Sequence, residues 1–120
     1  MSTDWTAHMT SLGAPLKDLR TGAPDVMKSF SAMAQAALKG GALDTKTKEL
    51  IALGIGVAIR CDDCIAFHVK AAIAQGATRD EIMETLGMAV YMGAGPSVMY
   101  AAHAAEATGQ LMPKTEAAAE

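Results

Sequence analysis

The chain has 120 residues and a formal net charge of −3, and 51% of its residues are hydrophobic while only 4% are aromatic. This length predicts a single domain, residues 1–120, large enough for its own core but near the size at which assembly helps. No cluster of basic residues occurs along the chain. We therefore expect no nucleic acid and no membrane surface as a partner.

The first 25 residues contain Asp4, Trp5 and His8 and no continuous apolar stretch. We expect neither a secretory signal nor a membrane anchor there, and we predict a reducing, cytoplasmic location. In that compartment two cysteines in a CxxC arrangement are more often catalytic or metal-binding than structural.

Two helical regions are predicted before residue 42. A loose helical pattern from Asp4 to Leu19, interrupted by Gly13 and Pro15, indicates a short helix and a second turn. Beyond it, Pro24 suits a first helical position, and apolar residues recur at helical spacing until the glycine pair at 40–41.

The apolar run from Leu50 to Ile59 is too short to cross a bilayer, so it predicts a buried core helix, with a buried strand as the alternative. We favour the helix because the segment from Asp44 to Arg60 has the length of an average helix and starts with residues that cap helices. Gly54 and Gly56 each weaken a helix by about 1 kcal/mol relative to alanine. We therefore expect them to admit a neighbouring helix at close range.

A second helix is predicted to begin at Cys61 or just before it and to end at Gly76, with two aspartates in its first turn. On such a helix Cys61, Cys64 and His68 stand at i, i+3 and i+7 and share one face. If the two helices form an antiparallel hairpin that turns near Arg60, Glu49 comes close to His68. The remaining offset, roughly 6 Å at 1.5 Å per residue, is the reach of a long side chain or a water.

The C-terminal part of the chain predicts one or two further helices. Thr78 and Glu81 fit a capping box that starts a helix running to about Met92. The stretch from Gly93 to Pro96 breaks the chain, and a last helix follows to about Thr108, with Gly109 as its stop. The core should span about 24–109, and residues 114–120 should form a flexible tail. No strand-like alternation occurs, so a thioredoxin fold is not expected.

Two cysteines one helical turn apart have Cβ atoms roughly 5 to 6 Å from each other, whereas a disulfide needs about 3.5 to 4.5 Å. Closure then requires the first turn to tighten, and the very short loop gains little entropic stabilisation. A purely structural disulfide therefore accounts poorly for the pair. Proximity to the helix end favours Cys61 as the more acidic thiol, and proximity to the base His68 favours Cys64; the sequence leaves this choice open.

The cysteine pair also has two simpler interpretations. The cysteines could be two small core residues at a helix start. They could also bind zinc, but structural zinc usually takes four protein ligands. Cys61, Cys64 and His68 supply three, and only His8 and His103 remain in the chain. We assign no role to His103 and expect neither a metal nor a bound cofactor.

The sequence resembles the alkylhydroperoxidase D family, within the carboxymuconolactone decarboxylase-like superfamily. The resemblance rests on Glu49, the CxxCxxxH run from Cys61 to His68 and the later stretch from Met92 to Pro96. The resemblance spans roughly Asp44 to Ala105. A glutamate followed by eleven residues and then CxxCxxxH is specific as a combination. The resemblance implies an all-helical subunit that assembles into homotrimers or homohexamers and uses the cysteine pair against hydroperoxides.

By that resemblance, Cys64 attacks the peroxide, Cys61 resolves the sulfenic acid into a disulfide, and Glu49 with His68 forms a proton relay. One position departs from the family pattern. Family members with peroxidase activity resemble a CxHC pattern, with a histidine directly before the second cysteine. Here that position is Asp63, a negative group where a neutral or cationic one would assist peroxide turnover.

Together these observations predict an all-α domain of five to seven helices, built around an antiparallel pair. Its predicted function is that of a thiol-dependent oxidoreductase that takes a small hydroperoxide as substrate and an external dithiol as reductant. One alternative is a lactone decarboxylase, which would not need the cysteines. The second alternative is a non-enzymatic oligomeric protein whose cysteines bind metal or sense redox state.

Overall fold

The structure is a computed structural model that describes residues 2–113. These residues form six helices and no strand. The helices are α1 (Trp5–Ser11), α2 (Gly13–Gly22), α3 (Pro24–Leu38), α4 (Thr45–Ala58), α5 (Asp62–Ala74) and α6 (Arg79–Leu111). The all-α class and the number of helices are therefore confirmed. The predicted tail, 114–120, lies outside the described residues.

The core lies where α4, α5 and α6 pack against one another. Aliphatic and alanine side chains fill it, among them the fully buried Leu53, Ile65 and Ile82. Trp5 of α1 is 2% exposed and joins the same cluster, although it precedes the range in which we expected the core. Because complete burial of one large apolar side chain contributes about 1.5 to 3 kcal/mol, Trp5 is a main contact of α1 with the bundle.

The predicted hairpin of α4 and α5 is confirmed, and its turn is a Schellman motif. The amide of Arg60 donates to the carbonyl of Val57 (3.2 Å), and the amide of Cys61 donates to the carbonyl of Gly56 (3.0 Å). Arg60 has a φ of 62°, in the left-handed region that glycine usually occupies. The motif ends α4 and delivers the chain to the start of α5 at Cys61. A second Schellman motif closes α5 at Gly76.

The predicted start signals of α4 and α6 are confirmed. The Asp44 carboxylate accepts a hydrogen bond from the amide of Thr47 (2.7 Å), and Thr78 and Glu81 form the capping box. Lys46 Nζ also donates to Glu81 Oε2 (2.8 Å), which joins the starts of the two helices. The hydrogen bond from Lys46, and then that from the Thr78 backbone, lowers the pKa of Glu81.

The break predicted near the glycines of α6 is present as a kink within one helical span. Ala94 has φ 54° and ψ −139°, and helix continues on both sides of it. The predicted stop at Gly109 is wrong, because α6 runs through it to Leu111. A helical glycine costs only about 1 kcal/mol. Thr108 and Met112 are buried on either side of Gly109, and their packing holds the last turn in place.

The outer face of α4 and one face of α3 are exposed. The all-round burial expected for α4 is wrong, since Ile51 is 46% and Ile55 54% exposed. α3 has no buried residue, and its apolar residues Val26, Phe30 and Met33 are 57% to 68% exposed. Within residues 2–113, no helix is both long and apolar enough to cross a membrane.

Candidate active site

Cys61 and Cys64 are joined by a disulfide whose Cα atoms are 5.2 Å apart. Cys61 is not inside α5 as expected. It is the N-cap residue, with an extended backbone (φ −114°, ψ 97°), and its Sγ accepts a hydrogen bond from the amide of Cys64 (3.1 Å). Because an N-cap residue lies outside the regular helix, the Cβ separation of a helical turn does not apply. The premise that both cysteines lie in a regular helical turn is therefore wrong, because the disulfide joins the N-cap residue to the first turn of α5.

Glu49 and His68 form the second part of the site. Glu49 on α4 is 6% exposed, and its Oε1 accepts a hydrogen bond from His68 Nδ1 on α5 at 2.8 Å. The offset expected between the two side chains is thus closed by direct contact, with no need for a water. Because the ionised carboxylate only accepts, it places a proton on Nδ1 and leaves Nε2 as the nitrogen that can exchange protons.

Gly56 allows the disulfide to lie close to α4. A Cβ atom built on Gly56 would stand 3.3 Å from Cys64 Cβ and 3.7 Å from the backbone carbon of Cys64. Gly54 approaches α6 less closely, with 3.6 Å to Thr85 Cγ2. The close helix approach predicted for the two glycines is confirmed at Gly56, whereas at Gly54 an added Cβ would make only an ordinary van der Waals contact. The sequence did not show that the partner of Gly56 is a redox cysteine.

The two aspartates between the cysteines each bind a histidine, and this arrangement was not predicted. Asp63 Oδ1 binds His8 Nε2 of α1 at 2.5 Å, and Asp62 Oδ1 binds His103 Nδ1 of α6 at 2.9 Å. The ring of Trp5 lies beside both, with centroid distances of 5.6 Å to His8 and 6.0 Å to His103. The partners are 55 and 41 residues apart in sequence. No local pattern could have revealed contacts at that separation.

The zinc site considered from the sequence is not formed in this state, because the two sulfurs are bonded to each other. In the described part of the chain, no group of three or more His, Cys, Asp or Glu side chains is arranged to hold a metal ion.

An apolar groove between α4 and α6 has a volume of about 480 Å³. Its walls are almost entirely apolar and include the exposed face of α4. The lining residues are Thr47, Leu50, Ile51, Gly54, Ile55, Ala58, Thr85, Met88, Ala89 and Met92. The cysteines, Glu49 and His68 are not among them, so the groove is a surface separate from the disulfide.

A protein-family model described as the carboxymuconolactone decarboxylase family matches residues 24–107. Among curated proteins, an uncharacterised protein of Cupriavidus necator is 36% identical over 104 residues, which is 87% of this chain and 92% of that protein. An uncharacterised protein encoded in the cox locus of Paracoccus denitrificans is 34% identical over 93 residues, 78% of this chain and 84% of its own length.

Two solved structures share the fold. A carboxymuconolactone decarboxylase family protein from Legionella pneumophila is 49% identical, with a TM-score of 0.87 over 92% of this chain and 100% of its own. A family member from Thermotoga maritima is 29% identical, with a TM-score of 0.78 over 87% of this chain and 89% of its own. The description of the Thermotoga protein names a possible involvement in antioxidative response.

Proposed function

This chain belongs to the carboxymuconolactone decarboxylase family, and from that premise we propose that it is a thiol-dependent hydroperoxide reductase. The observation that carries the proposal is a cysteine pair one helical turn from a histidine that a buried carboxylate orients. A thiol peroxidase needs these parts: a nucleophilic sulfur, a second sulfur that resolves the oxidised one, and a proton-transferring group. The antioxidative role suggested for the Thermotoga relative supports the same reaction class.

In the proposed cycle the Cys64 thiolate attacks the hydroperoxide. An S–O bond forms, the O–O bond breaks, and the leaving oxygen takes a proton and departs as an alcohol. The Cys61 thiol then attacks the sulfenic sulfur of Cys64, forming the disulfide and releasing water. An external dithiol returns two electrons by thiol–disulfide exchange. Such a donor is available in a reducing cytoplasm, the location we propose.

His68 and Glu49 would move the protons of this cycle. His68 follows Cys64 by one turn on α5, so its ring shares a helix face with that sulfur. Glu49 holds Nδ1, which leaves Nε2 to take the proton of the Cys64 thiol and to pass it to the leaving oxygen. The buried carboxylate also stabilises the imidazolium that forms in between. This proximity supports Cys64 as the attacking thiol and Cys61 as the resolving one.

Peroxide consumption with dithiothreitol as donor tests the proposal in the wild type and in two variants that keep the size of the side chain. We expect Cys64→Ser to abolish turnover. We expect reduced Cys61→Ser, freed of dithiothreitol, to undergo one stoichiometric oxidation by peroxide and then to stop, because neither the protein nor the solution supplies a resolving thiol. Equal rates in all three proteins would reject the proposal. Turnover of a lactone that survives both substitutions would instead support decarboxylation.

We also propose that copies of this chain assemble through the apolar groove. The groove between α4 and α6 and the apolar face of α3 are two different exposed surfaces of the same subunit. Contiguous exposed apolar surface on a soluble domain marks an interaction site. When one face of a subunit pairs with a different face of the next, the contacts form a ring if the rotation between subunits closes, and an open filament if it does not. A homotrimer, or a homohexamer of two such rings, would cover both surfaces.

A further inference from the structure

Asp62 and Asp63 pose an electrostatic problem for a reactive thiol. Both lie in the first turn of α5, between the two cysteines. A negative charge near a sulfur disfavours the thiolate, and the thiolate is the form that attacks peroxides and exchanges disulfides. Two uncompensated aspartates would therefore oppose the chemistry proposed for Cys64.

Each aspartate is compensated by a histidine from a distant part of the chain. His8 Nε2 donates to Asp63 from α1, and His103 Nδ1 donates to Asp62 from α6. The histidine side chains are 33% and 46% exposed, so both pairs lie at the rim of the bundle and are partly shielded from water. We call these two pairs the histidine clamp.

The clamp is held in place by Trp5. Its indole Nε1 donates to Glu106 Oε1 (2.9 Å), and its backbone amide donates to Gln110 Oε1 (2.8 Å). Because the buried ring contacts both His8 and His103, the position of α1 and the position of the clamp are fixed together. The matched family model begins at residue 24. Trp5 and His8 therefore lie outside the pattern on which the family assignment rests.

We propose that the histidine clamp tunes the reactivity of the cysteine pair by compensating the charges of Asp62 and Asp63. This inference rests on the proposed function, and it assigns His8 and His103 a positioning and electrostatic role with no contact to the peroxide. The hydrogen bond from each imidazole, and the positive charge that it carries when protonated, offset one carboxylate. The thiolate near the start of α5 is stabilised as a result, and the disulfide becomes easier to reduce.

The test compares variants that remove the histidines with variants that remove the acids. His8→Phe and His103→Phe keep an aromatic ring against Trp5 but remove the donor and the charge. We expect each to slow alkylation of the reduced protein by iodoacetamide roughly two- to fivefold at pH 7, because half-exposed charges interact weakly. Asp62→Asn and Asp63→Asn should accelerate it by a similar factor.

The reduction potential of the cysteine pair is a second measurement. Loss of packing alone would not shift it in opposite directions in the histidine variants and the aspartate variants. Equilibration with glutathione exchanges the Cys61–Cys64 disulfide and two glutathione thiols for the protein dithiol and one glutathione disulfide. A two- to fivefold change in that equilibrium constant is about 10 to 20 mV for a two-electron couple. We expect the potential to become more negative without the histidines and more positive without the acids.

A double-mutant comparison completes the test. In an Asp63→Asn background, His8→Phe should have no further effect, since the charge that it compensated is gone. Asp80→Asn, which removes an acid from the first turn of α6, is the matched control and should leave both readouts unchanged. Shifts of the same sign in His8→Phe and Asp63→Asn, or shifts no larger than that of the control, would overturn the proposal. Neither measurement uses peroxide, so a failed peroxidase assay and a failed clamp are distinguishable.

Discussion

At the scale of single residues, the proposed site depends on side chains that the helices hold before any substrate arrives. Glu49 is buried, and its carboxylate accepts a hydrogen bond from the His68 ring. Gly56 contributes by lacking a side chain, which lets Cys64 approach α4. Glu49 acts through its charge, and Gly56 acts through the absence of a side chain. Their substitutions should therefore have different consequences.

We expect Glu49→Gln to reduce kcat/KM for a hydroperoxide roughly ten- to a hundredfold, because general acid–base catalysis contributes about 10²–10⁴-fold. Glutamine can still bind His68, but it does not stabilise the imidazolium. Steady-state peroxide assays at several pH values measure the effect. Glu84→Gln on the exposed side of α6 is the matched control. A Glu49→Gln rate within twofold of the control would remove Glu49 from the proton relay.

Gly56→Ala should destabilise the oxidised protein by about 1 to 2 kcal/mol, because overpacking against Cys64 outweighs the gain in helix propensity. Gly87, on the exposed side of α6, has no heavy atom within 4 Å of an added Cβ. Gly87→Ala should therefore stabilise the protein by about 0.5 to 1 kcal/mol. Chemical denaturation of both variants at one protein concentration measures the contrast. Equal stabilisation by both would show that Gly56 is not needed for close packing.

At the scale of helices and turns, local rules account for most of the architecture. Asp44 and the Thr78–Glu81 capping box mark helix starts by bonds within four residues, so the sequence reveals them. The Schellman motif at Arg60 is less visible, since an arginine fills a position that usually has glycine.

Glu81, at the start of α6, makes the stability of the folded protein depend on pH. Its pKa is lowered in the folded protein, first by Lys46 and then by the Thr78 backbone. A carboxyl group with a lowered folded-state pKa stabilises the protein above its unfolded value, and this stability is lost as the pH falls through the folded value. Glu81→Gln should therefore lower Tm at pH 7, and the difference should shrink as the pH falls below about 4. Thermal unfolding from pH 3 to 7 measures it, with Glu84→Gln as control. A difference independent of pH would assign the effect to packing.

At the scale of the whole molecule, the sequence predicted features set by residues close together in the chain and missed contacts between residues far apart in it. The fold class, the hairpin and the pairing of Glu49 with His68 could be predicted, because helical spacing and one turn determine them. The contacts of His8 and His103 could not, because they join helices that are far apart in the chain. The exposed face of α4 was missed because a run of apolar residues does not show whether the same chain or another copy covers it.

Assembly can be tested by light scattering after size exclusion. We expect a mass three or six times the 12.4 kDa of one chain. Ile55→Glu places a charge in the groove and should reduce the mass to that of the monomer, because a charge buried without a partner is costly. Gln75→Glu adds the same charge at an exposed position outside the groove and should not change the mass. A monomeric wild type would contradict assembly through this surface.

The kink at Ala94 divides α6 into two mechanical parts. The part before it supplies Thr85, Met88 and Met92 to the groove, and the part after it supplies His103 to the clamp. A straight helix would transmit a displacement at one end to the other as a rigid rod. Here the non-helical backbone at Ala94 interrupts that rod between the groove residues and His103. The surface proposed for assembly and the histidine proposed to tune the cysteines therefore lie on opposite sides of a break in one helix.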